Sequence, residues 1–155
     1  MEKQITSKCV EMVDFHPRHL EIMDMRQEEA LGAFSMEDAQ ERIEAISEAS
    51  IKAGTFMYDG RILCCAGFSM LWPGVANGWI IPSIHVKTAP ISFCKLIKGY
   101  VDSIMKSFNC HRFQTTSYDD PFHERWMTWL GFKKEGTMEK YTHDKKNHCI
   151  YAKVI

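Results

Sequence analysis

The sequence has no apolar stretch that nears the roughly 20 residues a membrane-spanning helix needs, so no span is expected. The opening MEKQITSKC carries charges with no apolar core after them. That argues against a secretion signal and for the cytoplasm as the expected location. There is no CxxC, and the six cysteines at 9, 64, 65, 94, 110 and 149 fit no zinc or redox spacing. Adjacent Cys64 and Cys65 point to opposite faces of a strand and make a poor metal pair. All six are read as reduced, mostly buried thiols, and no metal is expected. An excess of one charge is also lacking. The formal net charge of -1 argues against nucleic acid as a main partner, because phosphate binding needs a basic surface. No internal repeat or low-complexity linker interrupts the chain, so residues 1–155 are expected to form one domain with a sizeable core.

Glycine is missing at one telling place. In HVKTAPISF, residues 85–93, an apolar run over 79–86 ends and a helix-like run begins near Pro90. Glycines at such a strand-to-helix junction let backbone N–H groups cradle a phosphate. This junction has none.

What is present is ordinary globular material, 45% apolar and 25% charged, and it is patterned. Residues 4–14 alternate enough for a strand. Pro17 opens a helix to about Ala30, with Leu20, Met23 and Gln27 on one side. Ser35-Met36-Glu37-Asp38 reads as a capping box for a second helix with Ala39, Ile43, Ile46 and Ala49 inward. Strands over 55–58 and 61–71 flank Asp59-Gly60, a strong hairpin signal. Residues 78–86 read as a fourth strand. A long helix over 90–108 carries the stripe Phe93, Ile97, Tyr100, Ile104 and Phe108. Residues 112–117 alternate as a fifth strand. Asp120-Pro121 caps a last helix with Phe122, Trp126, Trp129 and Leu130, which stops at Gly131. Residues 132–142 and 148–154 close the chain as a hairpin. The order β-α-α-β-β-β-α-β-α-β-β is an α+β arrangement around one mixed sheet, with the three layers of α/β folds.

The stretch DDPFHERWMTWLGFKKEGTMEKY narrows this further. A short helix ending in Leu130-Gly131-Phe132, followed by Glu135-Gly136 on a strand, resembles the closing motif of the GCN5-related N-acetyltransferases. The motif is specific over 120–141, and the element order extends the likeness over nearly the whole chain. Shorter segments, FHPRHLEIM, WIIPSIHV, FCKLIKGY and HERWMTWLGF, resemble phage-encoded acetyltransferase-like proteins of head assembly or the virion interior. The resemblance implies transfer of an acetyl group from acetyl-CoA to an amine, on a small molecule or a protein. The alternative it implies is an inactive phage protein of the same fold, used in virion assembly or in binding a host factor, in the host cytoplasm. A homodimer fits either.

In that family acetyl-CoA inserts where the fourth and fifth strands splay. Its pantetheine pairs with fourth-strand backbone, here Ile84 and Val86, and its pyrophosphate sits on the following loop and helix start. The family's glycine-containing loop is Lys87-Thr88-Ala89-Pro90-Ile91-Ser92 in this sequence. The helix start still presents N–H groups and the positive end of a dipole, Lys87 adds a charge, and Thr88 and Ser92 add hydroxyls. Pro90 removes one donor. The competing reading is a plain connection with solvated lysines.

The family's proton donor, a Tyr five residues before the Phe of Leu-Gly-Phe, is Met127 here, and 78–86 contains no Glu to act as base. The substitutes are His85, with a pKa in the physiological range, and Tyr118 and Asp119 after the fifth strand. His123, in the first turn of the last helix, is placed to face the coenzyme. Against these stand a strand-end histidine, turn residues and a packing histidine. Ser83 is weighed as an ordinary strand serine, and Trp126 and Trp129 as core. Residues 17–50 carry nine acidic and three basic side chains. If they flank the acceptor pocket, as in the family, they favour a cationic amine; otherwise they are solvated helix surface.

Overall fold

The computed structural model describes residues 9–27, 29 and 35–155. Seven strands form one mixed sheet in the order β1-β2-β3-β4-β5-β7-β6. They are β1 (Glu11–Asp14), β2 (Lys52–Tyr58), β3 (Arg61–Trp72), β4 (Val75–Pro82), β5 (Arg112–Tyr118), β6 (Lys133–Met138) and β7 (His148–Val154). Four α-helices lie among the described residues: α1 (Arg18–Ile22), α2 (Ala39–Ala49), α3 (Pro90–Ser107) and α4 (Pro121–Trp129). The expected element order is the observed one, with a 3-10 turn (Ile84–Thr88) added between β4 and α3.

Strand alternation builds the layers. In β3, Cys64 joins the large core and Cys65 the smaller one, so the two sulfurs do sit on opposite faces. The large core takes Phe93, Ile97, Val101, Ile104 and Met105 from α3, and Met127 and Leu130 from α4. The smaller core takes Leu20 of α1, with Met23 just beyond it, against Ile62 and Cys65, and Ile43 of α2 packs on its margin. Burial pushes the Cys65 thiol up to about 11 and the Cys64 thiol well above its ordinary value, so both stay protonated packing groups.

Several local expectations needed correction. The first helix ends at Ile22, and the chain then runs extended, with Met25 bridging to Ser83; residues 4–8 and Ala30 lie outside the described residues. Asp38 stands at the N-cap of α2 without a capping bond, and pairs with Arg42 at 2.9 Å instead. The fourth strand spans Val75–Pro82 rather than 78–86: the Ser83 N–H still reaches the Leu63 carbonyl of β3 at 2.7 Å, and Ser83 Oγ then accepts from the His85 N–H to start the 3-10 turn. In α4 the fully buried positions are His123 and Met127; Phe122 and Trp129 are exposed. Trp126 is half-buried, stacked on Phe93, and Trp129 lies under the Lys98 ammonium.

The hairpin at Asp59-Gly60 forms as expected, with φ of 50° and 73°, the two left-handed residues a tight hairpin needs. Asp120 caps α4, accepting from the His123 N–H at 2.9 Å, with Pro121 in the first turn.

Candidate active site

A cleft of about 1520 Å³ opens where β4 and β5 part. These strands run parallel but pair over only Val75–Arg112, Ala76–Phe113 and Asn77–Gln114. At the next step a side chain takes over from the ladder: Thr115 Oγ1 donates to the Gly78 carbonyl at 2.9 Å. Gly78 has no room for more, since a Cβ there would stand 2.5 Å from the Phe113 ring. Strand alternation then turns the N–H and C=O of Ile80 to the edge that Gly78 shows to β5. β5 no longer pairs there, so that edge faces the cleft.

The cleft has two ends. One is bounded by Ile84, Val86, Lys87, Pro90, Phe93 and Cys94, from the 3-10 turn and the start of α3, with Phe122, His123 and Trp126 from α4. The other is bounded by Phe15, Leu20, Ile43 and Ile46, by Arg26 and Glu29, and by Tyr141, Thr142 and His143 of the β6–β7 connection. Thr115 to Tyr118 and His148 stand between them.

The sequence candidates divide. Ile84, Val86, Lys87, Tyr118 and His123 line the cleft. Ile84 and Val86 do so from the 3-10 turn, so the free strand edge belongs to Ile80 instead. Thr88 bounds no part of the cleft and donates its hydroxyl to the His85 carbonyl at 2.7 Å. Ser92 is exposed and also off the wall. His85 is not a wall residue: its Nε2 lies 2.5 Å from Asp24 Oδ2. Asp119 is likewise off the wall, accepting from Cys149 Sγ at 3.3 Å with Lys134 nearby at 3.7 Å. Ser83 is fully buried and donates to the Ile62 carbonyl at 2.5 Å. Met127 is buried in the large core.

A cluster sits at the middle of the cleft that joins the expected Tyr118 and His123 to two residues the sequence did not suggest, His148 and Tyr141. Tyr118 contacts His148 edge-on at 4.6 Å between ring centroids and His123 at 5.5 Å, and Tyr141 contacts His148 at 5.2 Å. The register puts His148 opposite Tyr118, a pairing that only the closed sheet creates. His123 Nδ1 lies 2.6 Å from Asp120 Oδ2. Burial pushes the Asp120 carboxyl up, but the His123 backbone and ring bonds outweigh it and hold the group below the usual carboxylate range. His148 Nδ1 faces Thr116 Oγ1 at 3.4 Å. Burial, and then the nearby His123, lower the His148 pKa against the pull of Asp144, so the ring is neutral at pH 7.

The charge of the wall is not the charge of the segment. Glu29 is the only carboxylate on the wall among the described residues, and it is ion-paired with Arg26. Arg42 and Lys87 add positive charge. Glu41, Glu44 and Glu48 of α2 are exposed and off the wall. The acidic excess of residues 17–50 therefore faces mainly away from the cleft, and Glu28 lies outside the described residues. No group of three or more potential metal ligands occurs among the described residues, and no helix there is long and apolar enough to cross a membrane.

No protein-family model matches the chain, and no curated protein matches it in sequence. Solved structures do match in fold. Ard1 from Thermoplasma volcanium aligns with a TM-score of 0.73 at 13% identity, over 95% of this chain and 98% of that one. RimL, a ribosomal L7/L12 alpha-N-protein acetyltransferase in complex with coenzyme A, aligns at 0.67 and 13%, over 96% of each chain. A variant of the spermidine N-acetyltransferase SpeG from Vibrio cholerae aligns at 0.69 and 12%, over 93% of this chain and 94% of that one. Seven strands in this order, with a cleft where β4 and β5 part, give the chain the fold of the GCN5-related N-acetyltransferases.

Proposed function

We propose that the protein transfers an acetyl group from acetyl-CoA to a primary amine held at the apolar end of the cleft. The observation that carries this reading is the parting of β4 from β5 after three residue pairs, which leaves the Ile80 edge unpaired along the cleft. The residues fit the coenzyme. The Ile80 N–H and C=O suit the amides of its pantetheine arm. Lys87 and the first turn of α3 suit its phosphates: the turn brings N–H groups and the positive helix end, the lysine brings a full charge. Thr88 and Ser92 stand in the same stretch and contribute at most from its outer side. The 3-10 turn answers the missing glycines in part, since it delivers Lys87 to the wall without a left-handed residue. Coenzyme binding is accordingly weaker than a glycine-lined cradle would give.

Bound acetyl-CoA would supply the activated acetyl group. The chain's part is to orient the amine, exclude water and handle protons. Tyr118, at the end of β5 and on the wall, would protonate the leaving sulfur, a role supported by its presence in the cleft. His85 and Asp119 are placed to support rather than to react, through Asp24 and the 3-10 turn in one case and Cys149 in the other. The acceptor's amine sits on an apolar body, because Phe15, Leu20, Ile43 and Ile46 line that end and its one carboxylate is already paired. Nothing on the wall favours the phage-assembly reading over this one.

The test is thermal stabilisation by acetyl-CoA. A ligand at 100 times its dissociation constant stabilises by about 2.7 kcal/mol. At about 2–4 °C per kcal/mol for a chain of this size, the melting temperature rises by roughly 5–11 °C. Lys87→Glu should shrink the shift, since losing a charge-assisted phosphate contact of about 1.5–3 kcal/mol weakens binding at least tenfold. No shift with millimolar acetyl-CoA would sink the coenzyme reading.

A further inference from the structure

Lys87 reaches the cleft wall on a 3-10 turn, Ile84–Thr88, that runs for five residues. The i→i+3 bonds of such turns are poorly aligned, and runs beyond three or four residues are uncommon. No residue from Ser83 to Ser92 is left-handed, so no glycine-type bend closes the connection either. Support for the turn comes from elsewhere in the chain.

One side of it is β3. The Ser83 N–H donates to the Leu63 carbonyl at 2.7 Å, and the fully buried Ser83 hydroxyl donates to the Ile62 carbonyl at 2.5 Å. The other side is the extended stretch after α1, where Met25 bridges to Ser83. There Asp24 gives two oxygens to two successive residues of the turn. Its carbonyl accepts from the Ile84 N–H at 3.0 Å, and its carboxylate Oδ2 lies 2.5 Å from His85 Nε2. The His85 carbonyl in turn accepts the Thr88 hydroxyl at 2.7 Å. Lys87 therefore sits between two residues that are tied to each other, and the tie is anchored on Asp24. The His85 side chain is 14% exposed and that of Asp24 64%. The imidazole is the enclosed partner, and the carboxylate reaches it from the solvent side. Removing the carboxylate thus breaks the tie without opening the core.

We infer that Asp24 is a positioning residue for the coenzyme: by clamping Ile84 and His85 it holds the Lys87 ammonium at the cleft wall, where the phosphates would lie. The inference rests on the acetyl-transfer reading for its purpose. It goes beyond that reading in placing part of the coenzyme affinity on a residue that is itself off the wall. A clamp of this kind answers the glycine-free sequence of the junction. The loop is not shaped to let its backbone close on a phosphate; it is pinned from outside so that a side chain can.

The test is a double-mutant cycle on acetyl-CoA affinity, measured by calorimetry with Asp24→Ala, Lys87→Ala and the two together. Asp24→Ala keeps the backbone carbonyl and loses only the carboxylate. It should raise the acetyl-CoA Kd about threefold to tenfold, at the low end of the coupling found between residues that share a partner. In the Lys87→Ala background it should add almost nothing, because no ammonium is left to place. A tie that merely stabilised the fold would weaken binding by the same factor in both backgrounds. Hydrogen exchange reads the clamp without any coenzyme: the Ile84 and His85 amides should exchange severalfold faster in Asp24→Ala, with the β3 amides unchanged. A wild-type Kd in Asp24→Ala, or an equal rise with and without Lys87, would overturn the positioning role. A wild-type protein that does not bind acetyl-CoA would sink the coenzyme reading. In that case faster exchange at Ile84 and His85 keeps the clamp, and unchanged exchange overturns it.

Discussion

Asp120 holds two jobs with its two oxygens, and two substitutions separate them. Oδ1 accepts from the His123 N–H at 2.9 Å and caps α4; Oδ2 lies 2.6 Å from the ring at Nδ1. Asp120→Ala removes both. Loss of a cap costs about 1 kcal/mol, and leaving the buried Nδ1–H without an acceptor costs about another 1 kcal/mol. At about 2–4 °C per kcal/mol the melting temperature should fall by roughly 4–8 °C. Asp120→Asn is subtler. The amide oxygen keeps the cap, so stability should change by only a few tenths of a kcal/mol, since Asn caps about as well as Asp. The amide NH2 now points at Nδ1 and donates to it. That drives the ring hydrogen of His123 from Nδ1 to Nε2. At alkaline pH the ring 15N signals should therefore report the exchanged tautomer, in a protein that melts like the wild type. Calorimetry and ring 15N NMR measure the two effects on the same samples. An Asn variant that keeps the wild-type tautomer would refute the tautomer argument. An Ala variant with an unchanged melting temperature would refute the cap.

Two further outcomes follow from single positions. Gly131 ends α4 at φ 92°, and a Cβ there would meet only the Lys153 side chain at ordinary contact distance; Gly131→Ala should thus cost only the backbone strain, about 1–2 kcal/mol, read as a melting-temperature drop of roughly 2–8 °C. His148 has its folded pKa lowered, chiefly by burial, so the unfolded chain binds its proton first on acidification. Its stabilising contribution is present above the ordinary histidine pKa near 6.5 and drains away as pH falls through the lowered folded value. His148→Gln should therefore lose less stability than the wild type in urea melts between pH 7 and pH 5, and an identical pH slope would contradict the burial of that ring.

The fold was legible because its signals are local. Hairpin chemistry at Asp59-Gly60, the Asp120-Pro121 cap and the long stripe of α3 each depend on a few neighbouring residues, and each recurs in the structure. The misreadings share a cause as well. The apolar run over 79–86 reads as one strand, yet it breaks at Ser83, because that hydroxyl accepts the His85 N–H and turns the chain into a 3-10 helix whatever the apolar character of the run. In α2 the apolar side is packed inward only in part: Ile43 lies on the margin of the smaller core, and no residue of the helix is fully buried. Ile46 is 43% exposed, for it faces a cleft rather than a core, and periodicity cannot tell those two destinations apart.

The site was harder to see because it is assembled across the sheet. His123 was visible from its place in the first turn of α4, but His148 is 25 residues further on and reaches Tyr118 only because β7 returns between β5 and β6. Charge counting failed for a related reason. Three glutamates of α2 contribute to the segment's acidic excess and yet stay off the wall, while Arg42 on the same helix lines it. A helix of 3.6 residues per turn sends its charges in every direction, so net charge over a segment says little about the field in a cleft that sees one face. The functional reading accordingly rests on a placement that the sheet alone fixes, the edge that β5 stops pairing.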